Sequence, residues 1–207
     1  MSIFFNQKVK DNIKDTLKDL AFIIILVVLI RTFIVSPYEV SGPSMCPTLN
    51  FDNGICNHAE GEYLIVNKFW YDFSEPQRGD IVVFKRPGGT ESFIKRIIGL
   101  PGDIVILKDG FVYLQNQSNP TPIKLDESQY LSRENLGHTM PFRNATTFTV
   151  PENSYFMMGD NRIESLDSRA SFTEFAESKG ATPYVPKENF AGKAWIVLWP
   201  LGNFGVL

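Results

Sequence analysis

The chain has 207 residues, enough for a domain with its own hydrophobic core and for two domains at most. Its 20 lysine and arginine residues stand against 23 aspartate and glutamate residues, so the net charge of -3 excludes the broad basic surface of a nucleic-acid-binding protein. The mean hydropathy of -0.08 is that of an ordinary soluble protein, but this average conceals one strongly apolar segment.

That segment lies near the N-terminus. Leu20 to Ile30 carries no charge, and the apolar character continues past Arg31 to Val35, shortly before Pro37 stops any helix. It is apolar on all faces, it approaches the roughly 20 residues that a bilayer needs, and no small-x-small cleavage site follows it. We therefore expect a retained transmembrane helix over residues 18–36. A buried core helix and a cleaved signal peptide are the alternatives.

Lysines precede this segment and predict its orientation. Because lysine and arginine flank the cytoplasmic end of a span, residues 1–17 are expected in the cytoplasm and residues 37–207 on the extracytoplasmic face. The four lysines are Lys8, Lys10, Lys14 and Lys18. The sequence thus predicts a single-pass protein of the cytoplasmic membrane, with the lipid bilayer as a partner.

Beyond Pro37 the pattern predicts a mainly β protein. Short β-branched and aromatic runs alternate with Gly, Pro and Asn, and Asn53-Gly54 and Asp109-Gly110 have the composition of hairpin turns. The predicted strands cover residues 63–69, 80–84, 93–98, 104–107, 111–114, 147–150, 155–158 and 195–198. Residues 116–143 are polar and are expected to form loops. We predict an antiparallel β core with a smaller lobe inserted at about 108–146.

Two cysteines, Cys46 and Cys56, lie ten positions apart. Without a C-x-x-C motif or a Cys/His cluster they do not match a zinc site, so neither a metal nor another cofactor is expected. Two free, partly buried thiols are the favoured interpretation, and a disulfide in an oxidising compartment is the alternative.

A candidate nucleophile follows the membrane segment. In SGPSMCPTL, the prolines at 43 and 47 restrict the backbone around Ser44, although serines in such loops are most often turn residues. Neither His58 nor His138 lies beside a motif that would orient a base, and both are expected to be exposed loop residues. Because G-x-S-x-G is also missing, a Ser/His/Asp hydrolase is disfavoured.

Lysine is another possible base if burial keeps its amine neutral. Strand alternation places Lys95 on one face with Phe93 and Ile97, an apolar setting, although a solvated strand lysine is the simpler alternative. A charged segment, MGDNRIESLDSR, follows another predicted strand. Its side chains are expected either to form ion pairs that rigidify a site or to be a solvated loop; they include Asp160, Arg162, Asp167 and Arg169.

Taken together, these segments resemble bacterial type I signal peptidase, a membrane-anchored Ser/Lys endopeptidase that removes signal peptides from exported preproteins. The matching pieces occur in family order: LIRTFIVSPYEV, SGPSMCPTL, RGDIVVF, FIKRIIGLPGD, GDNRIESLDSR and GKAWIVLWP. The resemblance implies that Ser44 is the nucleophile, that Lys95 is the general base and that the Ser165 hydroxyl helps to position the lysine. It also implies supporting charged residues at Asp160, Asp167 and Arg169.

The resemblance further implies a substrate-binding wall and the partners of the enzyme. The wall residues are Tyr38, Val40, Met45, Leu49, Phe93 and Ile94. Signal-peptide-bearing preproteins are the expected substrates, no nucleic acid or cofactor is expected, and the expected oligomeric state is a monomer.

The sequence departs from the family pattern at two places. Ile163 and Glu164 replace the Asp-Asn pair that usually follows GDNR. Gly42 stands where some members carry a serine whose hydroxyl assists the nucleophile's own N–H in binding the oxyanion. Ser44 N–H is thus the remaining expected oxyanion donor, and altered packing is expected in the charged segment.

Two other classes of protein are compatible with parts of the sequence. A membrane-tethered β-rich binding or assembly factor would explain the hydrophobic segment and the strands, but it gives Ser44 and Lys95 no reason to meet. A self-cleaving Ser/Lys repressor shares the dyad chemistry, but it would carry a DNA-binding helix-turn-helix in place of the apolar segment.

Overall fold

The N-terminal helix and the β structure are sharply separated along the chain. The structure is a computed structural model that describes residues 2–52, 54–58, 61–142, 144–173 and 180–207, with side chains from residue 12 onward. Helix α1 (Ser2–Leu29) continues as a π-helical turn (Ile30–Ile34), and the side chains of residues 20–34 are all exposed. Among the described residues, no helix combines the length and the apolar character that a membrane crossing needs.

The remainder of the chain is mainly β, as predicted. The strands are β1 (Val35–Glu39), β2 (Phe51–Asp52), β3 (Ile55–Cys56), β4 (Tyr63–Asn67), β5 (Ile81–Lys85), β6 (Ser92–Gly99), β7 (Ile104–Lys108), β8 (Phe111–Gln115), β9 (Ile123–Lys124), β10 (Thr147–Thr149), β11 (Ser154–Met158), β12 (Tyr184–Pro186), β13 (Phe190–Trp199) and β14 (Gly205–Val206). One short helix, α2 (Trp70–Phe73), follows β4. The eight predicted strands are confirmed, with the last one extended into the longer β13.

The strands form two antiparallel sheets and one small hairpin. The main sheet has the order β1-β4-β13-β5-β6-β11-β12, with β14 paired to β13, and the second sheet has the order β10-β7-β8-β9. The hairpin turn predicted at Asp109-Gly110 is confirmed, since both residues have positive φ values, 52° and 79°, between β7 and β8. The β2–β3 hairpin closes around Gly54, and Asn53 lies outside the described residues.

The main sheet is buried on both faces, which explains why its central strands are continuously apolar. On β5, Ile81 and Val83 pack into one core cluster, whereas Val82 and Phe84 pack into a second cluster on the opposite face. Strand β11 divides its side chains in the same way between the second cluster and a third one beside the smaller sheet. The candidate site lies where the first cluster meets β6.

The helical segment ends earlier than the sequence predicts. Helical geometry stops at Ile34 instead of residue 36, and β1 begins directly at Val35. Pro37 therefore does not end the helix; it lies inside β1, opposite Ile65 of β4. This position is compatible with proline because β1 is an edge strand of the main sheet.

Candidate active site

Ser44 lies in a turn between β1 and β2, and this turn is anchored by side chains that pack in the hydrophobic core. The Cys46 N–H donates to the Pro43 carbonyl and the Leu49 N–H donates to the Met45 carbonyl, both at 3.0 Å. The side chains of Met45 and Leu49 are 0% exposed and belong to the first core cluster. Both side chains point into the core and fix the turn, and their expected place in the substrate wall stays a prediction.

A disulfide bond joins this turn to the next hairpin. Cys46 and Cys56 are bonded, with their Cα atoms 5.8 Å apart, so the favoured interpretation of two free thiols is wrong. The reason is the β2–β3 hairpin, in which Phe51 pairs with Cys56 and brings the second cysteine back beside the turn. The disulfide therefore constrains the backbone at Cys46, two residues after Ser44.

Asn50, which the sequence analysis missed, fixes the other side of the turn. Its side-chain amide donates to the Val40 carbonyl (3.0 Å) and the Gly42 carbonyl (2.9 Å), and its side-chain oxygen accepts from the Glu62 N–H (2.8 Å). It has a φ of 59°, a conformation that asparagine tolerates better than most residues. Asn50 thus sets the backbone path from β1 to Ser44.

Lys95 and Ser44 are in direct contact. Strand β6 carries Lys95, whose Nζ lies 2.6 Å from Ser44 Oγ and 2.8 Å from the Ile94 carbonyl oxygen. The lysine is only 3% exposed, and its Nζ lies 5.5 Å from the centre of the Phe93 ring. Phe93 and Ile97 pack in the same core cluster, so the predicted sharing of one apolar face is confirmed.

This environment changes the basicity of Lys95. Burial lowers its pKa from 10.5 to about 8, because the charged amine loses the solvation that water gives it. The carboxylates of Asp167 and Asp160 act in the opposite direction, and Arg169 adds to the lowering. Near pH 8 a substantial fraction of Lys95 is thus neutral and able to accept a proton.

Asp167 and Arg169 form one of the expected ion pairs in the charged loop, residues 159–169. The Arg169 Nε lies 2.9 Å from Asp167 Oδ1, and the Gly159 N–H donates to Asp167 Oδ2 at 3.1 Å. Burial raises the pKa of Asp167, but the ion pair and the hydrogen bonds outweigh burial and lower it. The Asp167 carboxylate therefore contacts both ends of this loop.

Asp160 has its partners outside the loop. Arg96, the neighbour of Lys95 on β6, holds both carboxylate oxygens at 2.8 and 2.6 Å, and the Thr48 hydroxyl donates to one of them at 2.5 Å. Arg96 also donates to the Gly79 carbonyl at 2.8 Å. This cluster connects the charged loop to the lysine strand and to the Ser44 turn, and sequence reasoning did not assign a role to Arg96 or Thr48.

Arg162 is also paired outside the loop, with a residue of the segment predicted to be peripheral. Its guanidinium contacts the Glu127 carboxylate at 3.1 and 2.5 Å and donates to the Thr139 hydroxyl at 2.7 Å and to the Gly159 carbonyl at 3.0 Å. Both charges are buried, at 0% and 3% side-chain exposure. The expectation that the loop's own charges pair with one another thus holds only for Asp167 and Arg169.

Ser165 lies next to the site. Its Oγ is buried and forms no hydrogen bond to Lys95, but its hydroxyl contributes to lowering the pKa of Asp167. The role in positioning the lysine that the resemblance implies stays a prediction. A Cβ at Gly159 would lie 2.2 Å from Ser165 Oγ and 2.3 Å from the Ser44 carbonyl oxygen. Gly159 therefore lets the charged loop approach Ser44, and the Asn161 N–H donates to the same carbonyl at 3.1 Å.

A groove of about 320 Å³, here called the substrate groove, opens beside Ser44 and Lys95. Four of the residues expected in the substrate wall line it: Tyr38, Val40, Phe93 and Ile94. Further lining residues come from β1, β4, β5, β6 and the charged loop, namely Glu39, Ser41, Leu64, Val83, Ser92, Glu164 and Leu166. The groove is thus an apolar channel with Ser44 at one side.

Possible oxyanion donors are few. Among the residues that the structure describes, none accepts a hydrogen bond from the Ser44 N–H. Gly42 has a φ of 82°, and the space where its side chain would stand is open within 4 Å. Ser41 lines the substrate groove and is exposed.

The histidines do not join the site. His58 and His138 are both exposed, which confirms the prediction, although His58 lies 3.9 Å from the Glu164 carboxylate. In the described parts of the chain, no group of histidine, cysteine and acidic side chains could hold a metal ion.

Comparisons with known proteins agree with this geometry. The family model described as "Signal peptidase, peptidase S26" matches residues 13–199. Signal peptidase I of Bacillus licheniformis is 32% identical over 94% of this chain and 92% of its own length, and signal peptidase I S of Bacillus subtilis (strain 168) is 33% identical over 96% and 95%. Signal peptidase I of Pseudomonas fluorescens is 32% identical over 86% and 70%.

A solved structure of a signal peptidase I from Enterococcus faecalis V583 is 31% identical, covers 60% of this chain and 97% of that chain, and superposes with a TM-score of 0.40. The matched range of the family model contains Ser44, Lys95 and the whole charged loop. The chain therefore belongs to the signal peptidase I family of S26 serine peptidases, which cleave signal peptides from secreted preproteins.

Proposed function

We propose that Ser44 is the nucleophile and Lys95 the general base of this peptidase. The observation that carries the proposal is the 2.6 Å separation of Lys95 Nζ and Ser44 Oγ, in a site that is buried enough to lower the lysine pKa to about 8. Neutral Lys95 accepts the Ser44 hydroxyl proton while Oγ attacks the scissile carbonyl. Protonated Lys95 then donates to the leaving amine, and the neutral lysine activates a water molecule that hydrolyses the ester.

The Ser44 N–H is the proposed donor to the oxyanion of the tetrahedral intermediate. A donor without another acceptor is available to the charge that develops during attack, and such a donor lowers the barrier. Gly42 contributes no side-chain donor, in contrast to the serine of some family members. We assign no second donor to Ser41.

We further propose that the preprotein binds in an extended conformation along the free edge of β1. Tyr38 and Val40 at the β1 edge line the groove together with Phe93 and Ile94 of β6, and a bound strand would lie between these two segments. Leu166 adds to the apolar lining. Shallow apolar pockets of this kind favour small side chains at the -1 and -3 positions of the preprotein.

The buried charges are proposed to position the dyad. The Asp167–Arg169 pair holds the charged loop, and Asp160 joins that loop to β6 through Arg96. These residues therefore act on the dyad indirectly, by fixing the loop that faces Ser44 and the strand that carries Lys95. Gly159 has no side chain and therefore leaves room for the Ser165 hydroxyl beside the Ser44 backbone. This hydroxyl is available to turn toward the lysine when a substrate enters the site.

We propose that the helical part of residues 18–36, which ends at Ile34, anchors the enzyme in the cytoplasmic membrane as a monomer, with residues 1–17 in the cytoplasm and residues 37–207 outside. The exposed apolar side chains between residues 20 and 34 support this proposal, since water is a poor solvent for so long an apolar surface. Ser44 follows Val35 by only nine positions, counted as 44 minus 35. The site would thus lie at the depth where membrane-held preproteins present their cleavage sites.

Within residues 37–207, we assign residues 108–146 to a smaller lobe.

The dyad is tested by comparing Ser44→Ala and Lys95→Ala with the wild-type enzyme on one preprotein. We expect each variant to lose processing by at least about 1,000-fold, because residues that act as a unit fail together. A serine-directed acylating probe should label the wild-type enzyme and not Ser44→Ala, which also separates a peptidase from a binding factor. Undiminished processing by either purified variant would contradict the proposal.

The pH dependence of kcat/KM tests the role of Lys95 separately. Since the base must be neutral, activity should rise with pH through a midpoint near the pKa of about 8. An acidic limb near 10.5, the ordinary lysine value, would show that burial does not tune this group.

A further inference from the structure

A second groove lies on the other side of the Ser44 turn. It has a volume of about 570 Å³ and is bounded by the Cys46–Cys56 disulfide, the β2–β3 hairpin, residues 132–135 and the charged loop. Pro47, Ile55 and Ile163 give it an apolar surface. We call it the second groove.

The two grooves share one residue, Glu164. It lines both the substrate groove and the second groove, so the two grooves adjoin at its side chain. Ser44 lines the substrate groove, and Cys46, two residues later in the same turn, lines the second groove. An extended chain with its scissile carbonyl at Ser44 can therefore leave the substrate groove past Glu164 and continue into the second groove.

The charge at this junction is negative. Glu164 is 50% exposed, and its carboxylate accepts a hydrogen bond from the neutral Asn161 amide at 3.3 Å. The His58 Nε2 lies 3.9 Å from the same carboxylate. Of the described charged residues, Arg133, Glu134 and Glu164 line the second groove, which leaves one positive charge against two negative charges.

We propose that the second groove binds the first residues of the mature chain and that Glu164 makes the enzyme prefer preproteins with a lysine or arginine there. The proposal rests on the catalytic role of Ser44, because that role fixes where the scissile bond lies. Glu164 stands where the family pattern has asparagine, so this preference is a property of this chain. The preferred lysine or arginine lies within the first three positions after the cleavage site, next to an apolar surface that accepts the aliphatic part of a lysine side chain.

The preference is tested with a series of preproteins that differ only at the first and second mature residues, carrying lysine, glutamine or glutamate. In the wild-type enzyme at low ionic strength we expect kcat/KM for lysine to exceed that for glutamine by about 2- to 5-fold, the effect of one partly exposed ion pair. Glutamate should be cleaved more slowly than glutamine. High salt should reduce all differences, since it screens exposed charges.

Three variants and one control decide whether Glu164 is responsible. Glu164→Gln and Glu164→Asn should cleave the lysine and glutamine substrates at equal rates, while Glu164→Lys should prefer glutamate. Glu152→Gln, an exposed glutamate outside both grooves, should keep the wild-type preference. Equal rates for the three substrates in the wild-type enzyme, or a preference that survives Glu164→Gln, would overturn the proposal.

The location of the mature segment is tested by photo-crosslinking in the inactive Ser44→Ala variant. A preprotein with a photoreactive leucine analogue at the third mature position should label the β2–β3 hairpin or residues 132–135. Labelling confined to the substrate groove or to distant surfaces would overturn the assignment. A failure of the proposed function would give a different result: the wild-type enzyme would not cleave even the glutamine substrate, whose cleavage does not depend on Glu164.

Discussion

The Ser44 turn and the charged loop lie next to each other at the active site, but different kinds of interaction stabilise them. The turn is fixed mainly by neutral contacts: two buried apolar side chains, a disulfide and the amide of Asn50. One further hydrogen bond runs from its Thr48 hydroxyl to the Asp160 carboxylate. The charged loop is fixed by three buried ion pairs that involve Asp160, Arg162 and Asp167. The nucleophile is thus held mainly by groups that do not titrate, whereas the surroundings of its base are charged.

This difference has a chemical reason. Charges close to Lys95 change its pKa, and the opposite effects of Asp167 and Arg169 show that the net result depends on their pairing. Neutral contacts around Ser44 leave its reactivity to the lysine alone. We therefore expect damage to the charged loop to depend on ionisation, and damage to the turn to be independent of it.

The largest effect is expected from Glu127→Gln, which leaves the Arg162 guanidinium buried without its carboxylate. Breaking a buried pair in this way should lower the free energy of unfolding by about 3–5 kcal/mol. Chemical denaturation of the full chain in detergent measures it. The double variant Glu127→Leu, Arg162→Met should recover most of the loss, because it removes both charges. A loss in Glu127→Gln below about 1 kcal/mol would show that this pair does not hold the loop.

A smaller effect of opposite sign is expected from Lys95→Met. The pKa of Lys95 is about 8 in the folded protein and about 10.5 when unfolded, so below pH 8 burial of the charged amine destabilises the native state. At pH 7 the variant should be more stable than wild type by up to about 3 kcal/mol. This advantage should shrink as the pH rises from 8 to 10.5, where the wild-type lysine is neutral in the folded state. The exposed Lys85→Met is the matched control, and an equal, pH-independent effect of both would contradict the assignment.

The smallest of the three effects is expected from Asn50→Ala. It removes the hydrogen bonds to Val40, Gly42 and Glu62, which should cost about 1–3 kcal/mol of unfolding free energy. Neutral contacts are lost, so the cost should be the same at low and high salt. Asn50→Gly keeps the positive φ and loses only the hydrogen bonds, so it should be less destabilised than alanine. A cost that grew strongly with falling ionic strength would contradict the neutral character of the turn.

The strands could be predicted from sequence because their signals are local, and strand periodicity identified β5 and β6. The same periodicity placed Lys95 in an apolar setting, but its pairing with Ser44 was implied by the resemblance to a known family and not by the residues alone. The partners of the charged loop could not be predicted, since Arg96 and Glu127 lie 64 and 35 positions from Asp160 and Arg162. The direction of Met45 and Leu49 was also beyond reach, because a turn has no periodicity that would indicate its buried side.

Pro37, first noticed as the end of a helix, has a different consequence within an edge strand. The Val40 N–H donates to the Glu62 carbonyl of the chain preceding β4, so alternation along β1 turns the backbone groups of Glu39 and Pro37 toward the open edge. Proline lacks an N–H, so Glu39 is the residue of this pair that can both donate and accept there. The open edge is therefore too short to template a growing sheet. One preprotein strand can pair with this edge and be cleaved, but further copies of the protein cannot pair along the same edge and aggregate.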